Sequence, residues 1–468
     1  MKPCRPYRRV RWAIAGPLTL LCACATVPRS EPAPVPLAGT AVGLQGVAVA
    51  PARDGWWQSL QDPQLNTLIA RALSDNPGLA QAEARLRLAQ AQAQAAHADQ
   101  LPGAKIAGGE NRLKVPEGFG PYLLGGHDIW FGNLHAQLAW DLDLWGQHAA
   151  AAAAARGMVV AADLDADNAR LLLAGAITQA YVDLYRSYAL ADIAASAEAQ
   201  RVHISEITRK RVGAGLDTRA ELREAEGAVP QAHLALLQAQ SAQELTKHQL
   251  AALIGQGAGA YAGIQRPRLN LAAVLPLPTA LPMNLLARRP DVIAARARIA
   301  AADANKRAAR AAFYPSISLS ALAGYASVSL PQLVSAQSLG YGAGAALSLP
   351  LFDGGRLRAG YRGAEAGLDQ AVASYDDTVL QAVRQAADQL SLISSLGGEL
   401  QQQRRWQDAT EDAYRLDEER YRAGLASYLS VLNAETEVLS ARRQSVDLAA
   451  AQAMARVTLL VAVGGSFH

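Results

Sequence analysis

The chain reads twice. Asn76-Pro77 recurs as Arg289-Pro290, and Leu101-Pro102 as Tyr314-Pro315, at one common offset. Farther on, Arg211-x-x-x-Gly215-Leu216-x-Thr218 returns as Arg420-x-x-x-Gly424-Leu425-x-Ser427. Each half runs in the order short helix, two alternating strands, an alanine-rich run of roughly 65 residues, a tight turn and another helix. Repetition on this scale is one structural unit used twice, not a solenoid of many small ones. It overrides the length prior, under which 468 residues suggest about three domains. The expected division is a leader at 1–23, a tether at 24–53, a first repeat at 54–265, a linker at 266–290 and a second repeat at 291–468.

The leader follows from its chemistry. Lys2, Arg5, Arg8, Arg9 and Arg11 precede the apolar run Trp12 to Ala23, which is a secretory signal and too short to span a membrane. It ends Leu21-Cys22-Ala23-Cys24, a lipobox with a branched residue at −3, a small one at −1 and cysteine at +1. Cys24 fits better than Cys22, because Leu21 stands where Cys22 would need a small residue. The expected product carries N-palmitoyl and S-diacylglycerol lipid on Cys24. An ordinary cleaved signal with incidental cysteines is the alternative. All three cysteines, Cys4, Cys22 and Cys24, lie in this segment, so the mature chain has no disulfide to form. Ala25 is not the aspartate that retains lipoproteins at the inner membrane, which favours the outer one. Val27 to Ala52, rich in Pro, Ala and Gly, reads as a tether.

Strand pairs come next. From Trp130 to Leu144, Trp130, Leu134, Ala136, Leu138, Trp140, Leu142 and Leu144 alternate with Asn133, His135, Gln137, Asp141 and Asp143. On that period His135, Asp141 and Asp143 face a wet interior. A weaker partner runs from Ala104 to Leu113. The second half repeats the pair at Ser316–Tyr325 and Tyr341–Leu351. Ala311 to Phe352 holds no charged residue, yet its Gly, Ser and Pro content forbids a spanning helix. Segments of about ten residues, apolar outside and polar inside, are what a lipid-facing barrel needs. A soluble sandwich of two hairpins would leave its edges open, with no other strand-rich sequence to cover them. Four strands cannot close a barrel alone, whereas three copies would supply twelve and leave a passage.

The helices must be long. Gln147 to Arg211 contains no proline and includes the alanine run Ala149 to Ala155; if continuous it spans roughly 95 Å. Arg356 to Arg422 behaves the same way. Such a helix needs a partner of equal length. Thr218–Leu253 with Gly78–Gln100, and Ser427–Val463 with Asp291–Ala312, have nearly the right summed lengths to stack end to end beside the long ones. A filamentous coiled coil would need sustained apolar heptads, which are missing. Gly215 and Gly424 suit the left-handed position that ends a helix, and Thr218 and Ser427 suit the N-caps that start the next. Thr218 with Glu221 forms a capping box.

With these pieces in order, the chain resembles the TolC-like outer membrane factors of tripartite efflux systems, in the lipoprotein (NodT-type) branch. The resemblance covers about Asp54 to Val463. It rests on Trp56-Trp57-x-x-Leu60-x-Asp62-Pro63-x-Leu65, Ala72-Leu73-x-x-Asn76, Arg288-Arg289-Pro290-Asp291-Val292 and Phe313-Tyr314-Pro315-Ser316. Leu349-Pro350-Leu351-Phe352-Asp353-Gly354-Gly355 and Arg420-Tyr421-Arg422-Ala423-Gly424 through Tyr428 to Glu435 complete it.

The resemblance implies a mainly α fold with a transmembrane β part: a trimeric α-helical barrel continuous with a shared twelve-stranded β-barrel, four strands per chain. It implies a passive duct of the outer membrane that exports small toxic compounds or drugs. The partners implied are a periplasmic adaptor and an inner-membrane pump of the resistance-nodulation-division type. By that likeness Arg211, Gly215, Leu216, Arg420, Gly424 and Leu425 form adaptor-docking tips around a closed entrance, and Ser430 and Asn433 take the aperture positions. Family members often carry aspartate at one or both of those last two positions, and this chain does not. A duct for protein secretion, or a non-channel adaptor or structural coiled-coil lipoprotein, are the alternatives; the latter leaves the strands without purpose.

No enzyme is expected. There is no G-x-S-x-G elbow, P-loop, dinucleotide fingerprint or HExxH. Eight scattered histidines suggest no metal site, and a net charge of +3 with 18% charged residues suggests no nucleic-acid partner.

Overall fold

A computed structural model describes residues 27–28, 32, 34–42, 44, 55–114, 116, 128–271 and 288–465. The leader with Cys4 and Cys22, and Cys24 after it, lie outside the described residues, as does most of the expected linker. Two compact units are present, and both draw on the two halves of the sequence.

One unit comprises residues 86–161 and 295–375 with the N-terminal residues. Its centre is an antiparallel sheet, β1 (Gly103–Lys114), β2 (Asp128–Leu142), β3 (Ser316–Ser327) and β4 (Leu339–Ser348), in that spatial order. Register settles which residues share a face. Leu134 pairs with Tyr325, Leu138 with Ala321 and Trp140 with Leu319; Ile317 then pairs with Leu347 and Ala323 with Tyr341. Ile106 opposite Ala136 extends the face into β1. This apolar face is the exposed one: Leu134, Leu138, Trp140, Leu347 and Tyr341 all stand open, while Asn133, His135 and Gln137 are half-buried. A water-soluble sheet does the reverse, and a lipid-facing strand does this. Within this sheet β1 and β4 each have one unpaired edge.

Two strand ends differ from the pattern expected. β2 stops at Leu142, because the Asp143 carboxylate turns back to accept from the His148 and Ala149 amides and caps the helix that follows. Asp143 therefore does not face the strand interior. β4 stops at Ser348, and Asp353 repeats the device by accepting from the Gly355 and Leu357 amides. Trp145 stacks on Tyr314 at 5.0 Å between ring centres and donates to the Pro315 carbonyl, fastening the ends of the two strand pairs.

Eleven main elements exist among the described residues. The helices are α1 (Pro63–Asp75), α2 (Pro77–Ala98), α3 (Gln147–Gly213), α4 (Arg219–Leu253), α5 (Pro290–Ala311), α6 (Arg356–Arg422) and α7 (Tyr428–Ala462). α2-β1-β2-α3-α4 is thus repeated as α5-β3-β4-α6-α7. α1 has no counterpart among the described residues. It is capped by Asp62 with Pro63 at its first position, where a missing N–H costs nothing.

The second unit holds residues 37–85, 162–294 and 376–468. Here the stacking of short helices is visible twice. The Asn76 side chain donates to the Leu253 carbonyl at 2.7 Å where α4 ends and α2 begins. Arg289 donates to the Ala462 carbonyl at 2.9 Å where α7 ends and α5 begins. At each joint a glycine with positive φ, Gly255 (75°) and Gly464 (82°), crosses so close to the preceding backbone that a Cβ would sit 2.5 or 2.9 Å from a carbonyl oxygen. The core packs Trp56, Trp57 and Leu60, together with α1, onto α3, α4 and α7 around Ile177, Tyr181 and Leu184. Asp62 ties this layer down, accepting from the Tyr181 hydroxyl and the Arg268 amide.

The described part of the expected tether does not hang free. The Leu37 amide donates to Asp376 of α6, and Leu44 is buried against Ala386, Leu459 and Val463. α7 is also apolar enough along its length to cross a bilayer. Its buried stripe packs on α3 and α6 instead, through contacts such as Gln179 to Thr458 and Gln403 to the Ala441 carbonyl.

Candidate functional site

The two helix-to-helix turns are built alike. At the end of α3, Gly215 takes φ 75°, the Leu216 amide reaches the Arg211 carbonyl at 2.9 Å and the Gly215 amide reaches Val212 at 3.0 Å. At the end of α6, Gly424 takes φ 78°, Leu425 reaches Arg420 at 2.8 Å and Gly424 reaches Tyr421 at 3.0 Å. These paired bonds are a Schellman turn, which satisfies the last carbonyls of the helix and needs glycine at the left-handed position. Thr218 then caps α4 with Glu221 closing the capping box, and Ser427 caps α7 through the Ser430 amide. Leu216 and Leu425, at the crown of each turn, are exposed.

The side chains of the turns differ. Arg211 folds inward. Its Nε and Nη2 donate to the two Asp217 oxygens at 2.8 and 2.9 Å, and Nη1 donates to the Tyr421 carbonyl of the other turn at 3.0 Å. The guanidinium lies 4.6 Å from the centre of the Tyr421 ring. The Tyr421 hydroxyl donates to Asp217 at 2.8 Å and lies 3.0 Å from Thr208 Oγ1. Arg211, Asp217 and Tyr421 therefore clasp the α3–α4 hairpin to the α6–α7 hairpin. The Arg211 hydrogen bonds hold the Asp217 carboxyl below the usual carboxylate range, and burial pushes the Tyr421 hydroxyl up to about 12. Arg420, the matching arginine, is 61% exposed and, among the described residues, has an ion pair only with Asp417, at 3.7 Å, on its own helix.

The remaining positions named from the sequence sit on the first turns of α7. Ser430 is half-buried, its hydroxyl 3.2 Å from the Ser427 hydroxyl and so tied to the helix cap. Asn433 is exposed one turn farther on. Asp217, Tyr421 and Glu435 belong to this region as well, beyond the positions expected from the sequence. Glu435 is fully buried on the α7 stripe that also carries Val431 and Val438. A signal for it existed: spacing of four and three from two valines puts a carboxylate where the helix period calls for an apolar residue. No cluster of potential metal ligands occurs among the described residues.

Comparison with known proteins agrees with this layout. The family described as outer membrane efflux protein matches residues 68–256 and again 281–465, once in each half. The fusaric acid resistance protein FusA of Burkholderia cepacia is 34% identical over 368 residues, covering 76% of this chain and 69% of that protein. The multidrug resistance outer membrane protein MdtP of Escherichia coli K12 is 31% identical over 428 residues, covering 88% and 86%. Among solved structures, the outer membrane protein VceC of Vibrio cholerae superposes with a TM-score of 0.84 at 34% identity, over 89% of this chain and all of that one. The outer-membrane channel OprN gives 0.83 at 27% identity over 95% and 99%. With its duplicated strand-and-helix unit and an apolar sheet face turned outward, the chain belongs to the outer membrane efflux protein family.

Proposed function

We propose that three copies of this chain form the outer-membrane duct of a tripartite efflux system, passing small toxic compounds delivered by a periplasmic adaptor and an inner-membrane pump of the resistance-nodulation-division type. The observation that carries the trimer is the sheet: four strands, an exposed apolar face and unpaired edges at β1 and β4. An open edge in a membrane is untenable, so other chains must supply the missing strands. Small-molecule cargo is supported by the relatives, whose names refer to fusaric acid, multidrug and toluene resistance or efflux. The exposed Leu216, Leu425 and Arg420 are the surface offered to the adaptor, and Arg211 holds the entrance shut.

Lipid on Cys24 completes the reading. What supports it is the lipobox Leu21-Cys22-Ala23-Cys24 behind a basic and apolar leader. A lipid and a barrel then anchor the chain independently.

Native mass spectrometry in detergent tests the assembly and is expected to return three copies; a stable monomeric barrel would overturn it. Peptide mass spectrometry is expected to find an acylated N-terminus at Cys24. An unmodified peptide crossing residues 20–30 of the mature protein would remove the lipid from the scheme. Export of a toxic dye in a strain lacking its own channel, with adaptor and pump supplied, tests the cargo class.

A further inference from the structure

A carboxylate is buried just inside the tips, where two hairpins meet. Glu435 of α7 has no exposed surface, and neither of its oxygens makes a hydrogen bond among the described residues. The cation beside it is Arg201 of α3, with Nε 3.1 Å from Oε2 but too far off line to count as a hydrogen bond. Tyr414 and Glu418 face it from α6, and Tyr428 from α7 itself. Behind these, Arg422 of α6 acts on Tyr414, and Glu224 of α4 acts on Tyr428. Glu435 thus fills the seam between the α3–α4 hairpin and the α6–α7 hairpin, above the Arg211 clasp.

A dry carboxyl that makes no hydrogen bond resists ionisation, and the cation beside it offsets only part of that cost. Burial pushes Glu435 up to about 7; Arg201 pulls against that rise and Glu418 adds to it. Water reaching the group would return it toward its ordinary value of 4.5.

We propose that Glu435 is a proton-linked lock on the entrance: parting the hairpins wets its carboxyl and releases a proton, so acid holds the channel shut and rising pH frees it to open. The proposal rests on the reading of the hairpin tips as the entrance. The direction follows from linkage. The closed state binds more protons than the open state between pH 4.5 and 7, so opening gains with each unit of rising pH in that window and levels off above it. From pH 5.5 to 7.5 the open-to-closed ratio is expected to rise about 20-fold per protomer. Glu435→Gln, neutral at every pH, keeps the shape and removes the proton.

Single-channel conductance of the purified full-length trimer in planar bilayers, between pH 5.5 and 8, tests this with three variants. Open probability of the wild type is expected to rise with pH, and that of Glu435→Gln to stay low and flat. Glu418→Gln removes a neighbouring negative charge, so it is expected to shift the wild-type midpoint toward acid; it judges the proposal even if Glu435→Gln does not assemble. A wild-type pH response retained in Glu435→Gln, or a midpoint unmoved in Glu418→Gln, overturns the proposal. So does a wild type flat over this range when Arg211→Glu still opens the channel. If Arg211→Glu is silent as well, the tips are not the entrance, and the reading beneath the proposal fails with it.

Discussion

Arg211 and Arg420 hold the same place in the repeat, three residues before the turn and in the last helical turn of the two longest helices. Arg211 is 14% exposed with three of its five N–H donors engaged, whereas Arg420 is 61% exposed. The backbones are not the cause, since both turns have the same hydrogen bonds and the same left-handed glycine. What differs is the company. Asp217 stands after Leu216, and its counterpart after Leu425 is Ala426; Tyr421 follows Arg420, and its counterpart after Arg211 is Val212. A carboxylate on one turn and an aromatic ring on the other turn Arg211 into a bond between hairpins. Arg420, lacking a matching carboxylate, stays exposed. Duplication supplied two alike turns, and a few unmatched side chains set one arginine to bridge the hairpins and left the other open, on the surface proposed to meet the adaptor.

The sharpest way to break the comparison is to reverse each charge in turn. Arg211→Glu places two carboxylates in a site where Asp217 is only 6% exposed, and loses the stacking on Tyr421. Breaking a largely buried pair costs about 3 kcal/mol, roughly a 100-fold shift toward the parted hairpins, and channel conductance is expected to rise accordingly. Arg420→Glu is expected to leave conductance unchanged and reduce binding of the adaptor. Equal effects from both variants, with trimers intact, would erase the distinction.

That division of labour was only half legible in the chain. Period-two alternation exposed the strands, and proline-free alanine runs exposed the long helices, because both signals are carried by residues a few positions apart. The turns were legible for the same reason: arginine, glycine, leucine and a hydroxyl residue lie within eight positions of one another. The clasp was not, since Tyr421 and Asp217 are 204 residues apart and meet only after two hairpins pack. Asp143 misled because it continues the strand period by one step. Only the competing demand of the α3 amides for a cap decides where β2 stops. Glu435 stands inside a stretch that carries the family likeness, and its conflict with the helical period of Val431 and Val438 is the one local mark of its burial.

Smaller effects probe what the tips have in common. Gly215→Ala and Gly424→Ala each put a Cβ at positive φ, and the expected cost is roughly 1 kcal/mol at both, because the turns are the same. Hydrogen exchange of the Leu216 and Leu425 amides reads this locally; a large inequality would show that the shared geometry hides different strain. Gly424→Pro goes further, removing the Gly424-to-Tyr421 bond and imposing a φ near −65° where 78° is needed. Acid separates the clasp from the seam above it. The Asp217 carboxyl is depressed, so its contribution is present above its ordinary value of 3.8 and lost only as pH falls through the lower folded value. Arg211→Glu is therefore expected to raise the open-to-closed ratio over that of the wild type by the same factor at pH 5.5 and at pH 8.

The smallest expected effect concerns the exposed face of α7. Ser430 is half-buried and engaged with the Ser427 cap, while Asn433, one turn beyond, is open. Asn433→Asp adds one carboxylate per chain at a position that the family likeness assigns to the aperture, so a trimer gains three around one axis. Side chains ringed about a narrow pore select by sign, and cation preference is expected to increase, read as a shifted reversal potential under a salt gradient. Ser430→Asp is expected to do less, because its carboxylate is drawn toward the α7 N-terminus and the amides already gathered there. Equal shifts from the two, or none from either, would mean that the α7 face lines no constriction, and the aperture would have to be sought on the exposed crowns at Leu216 and Leu425.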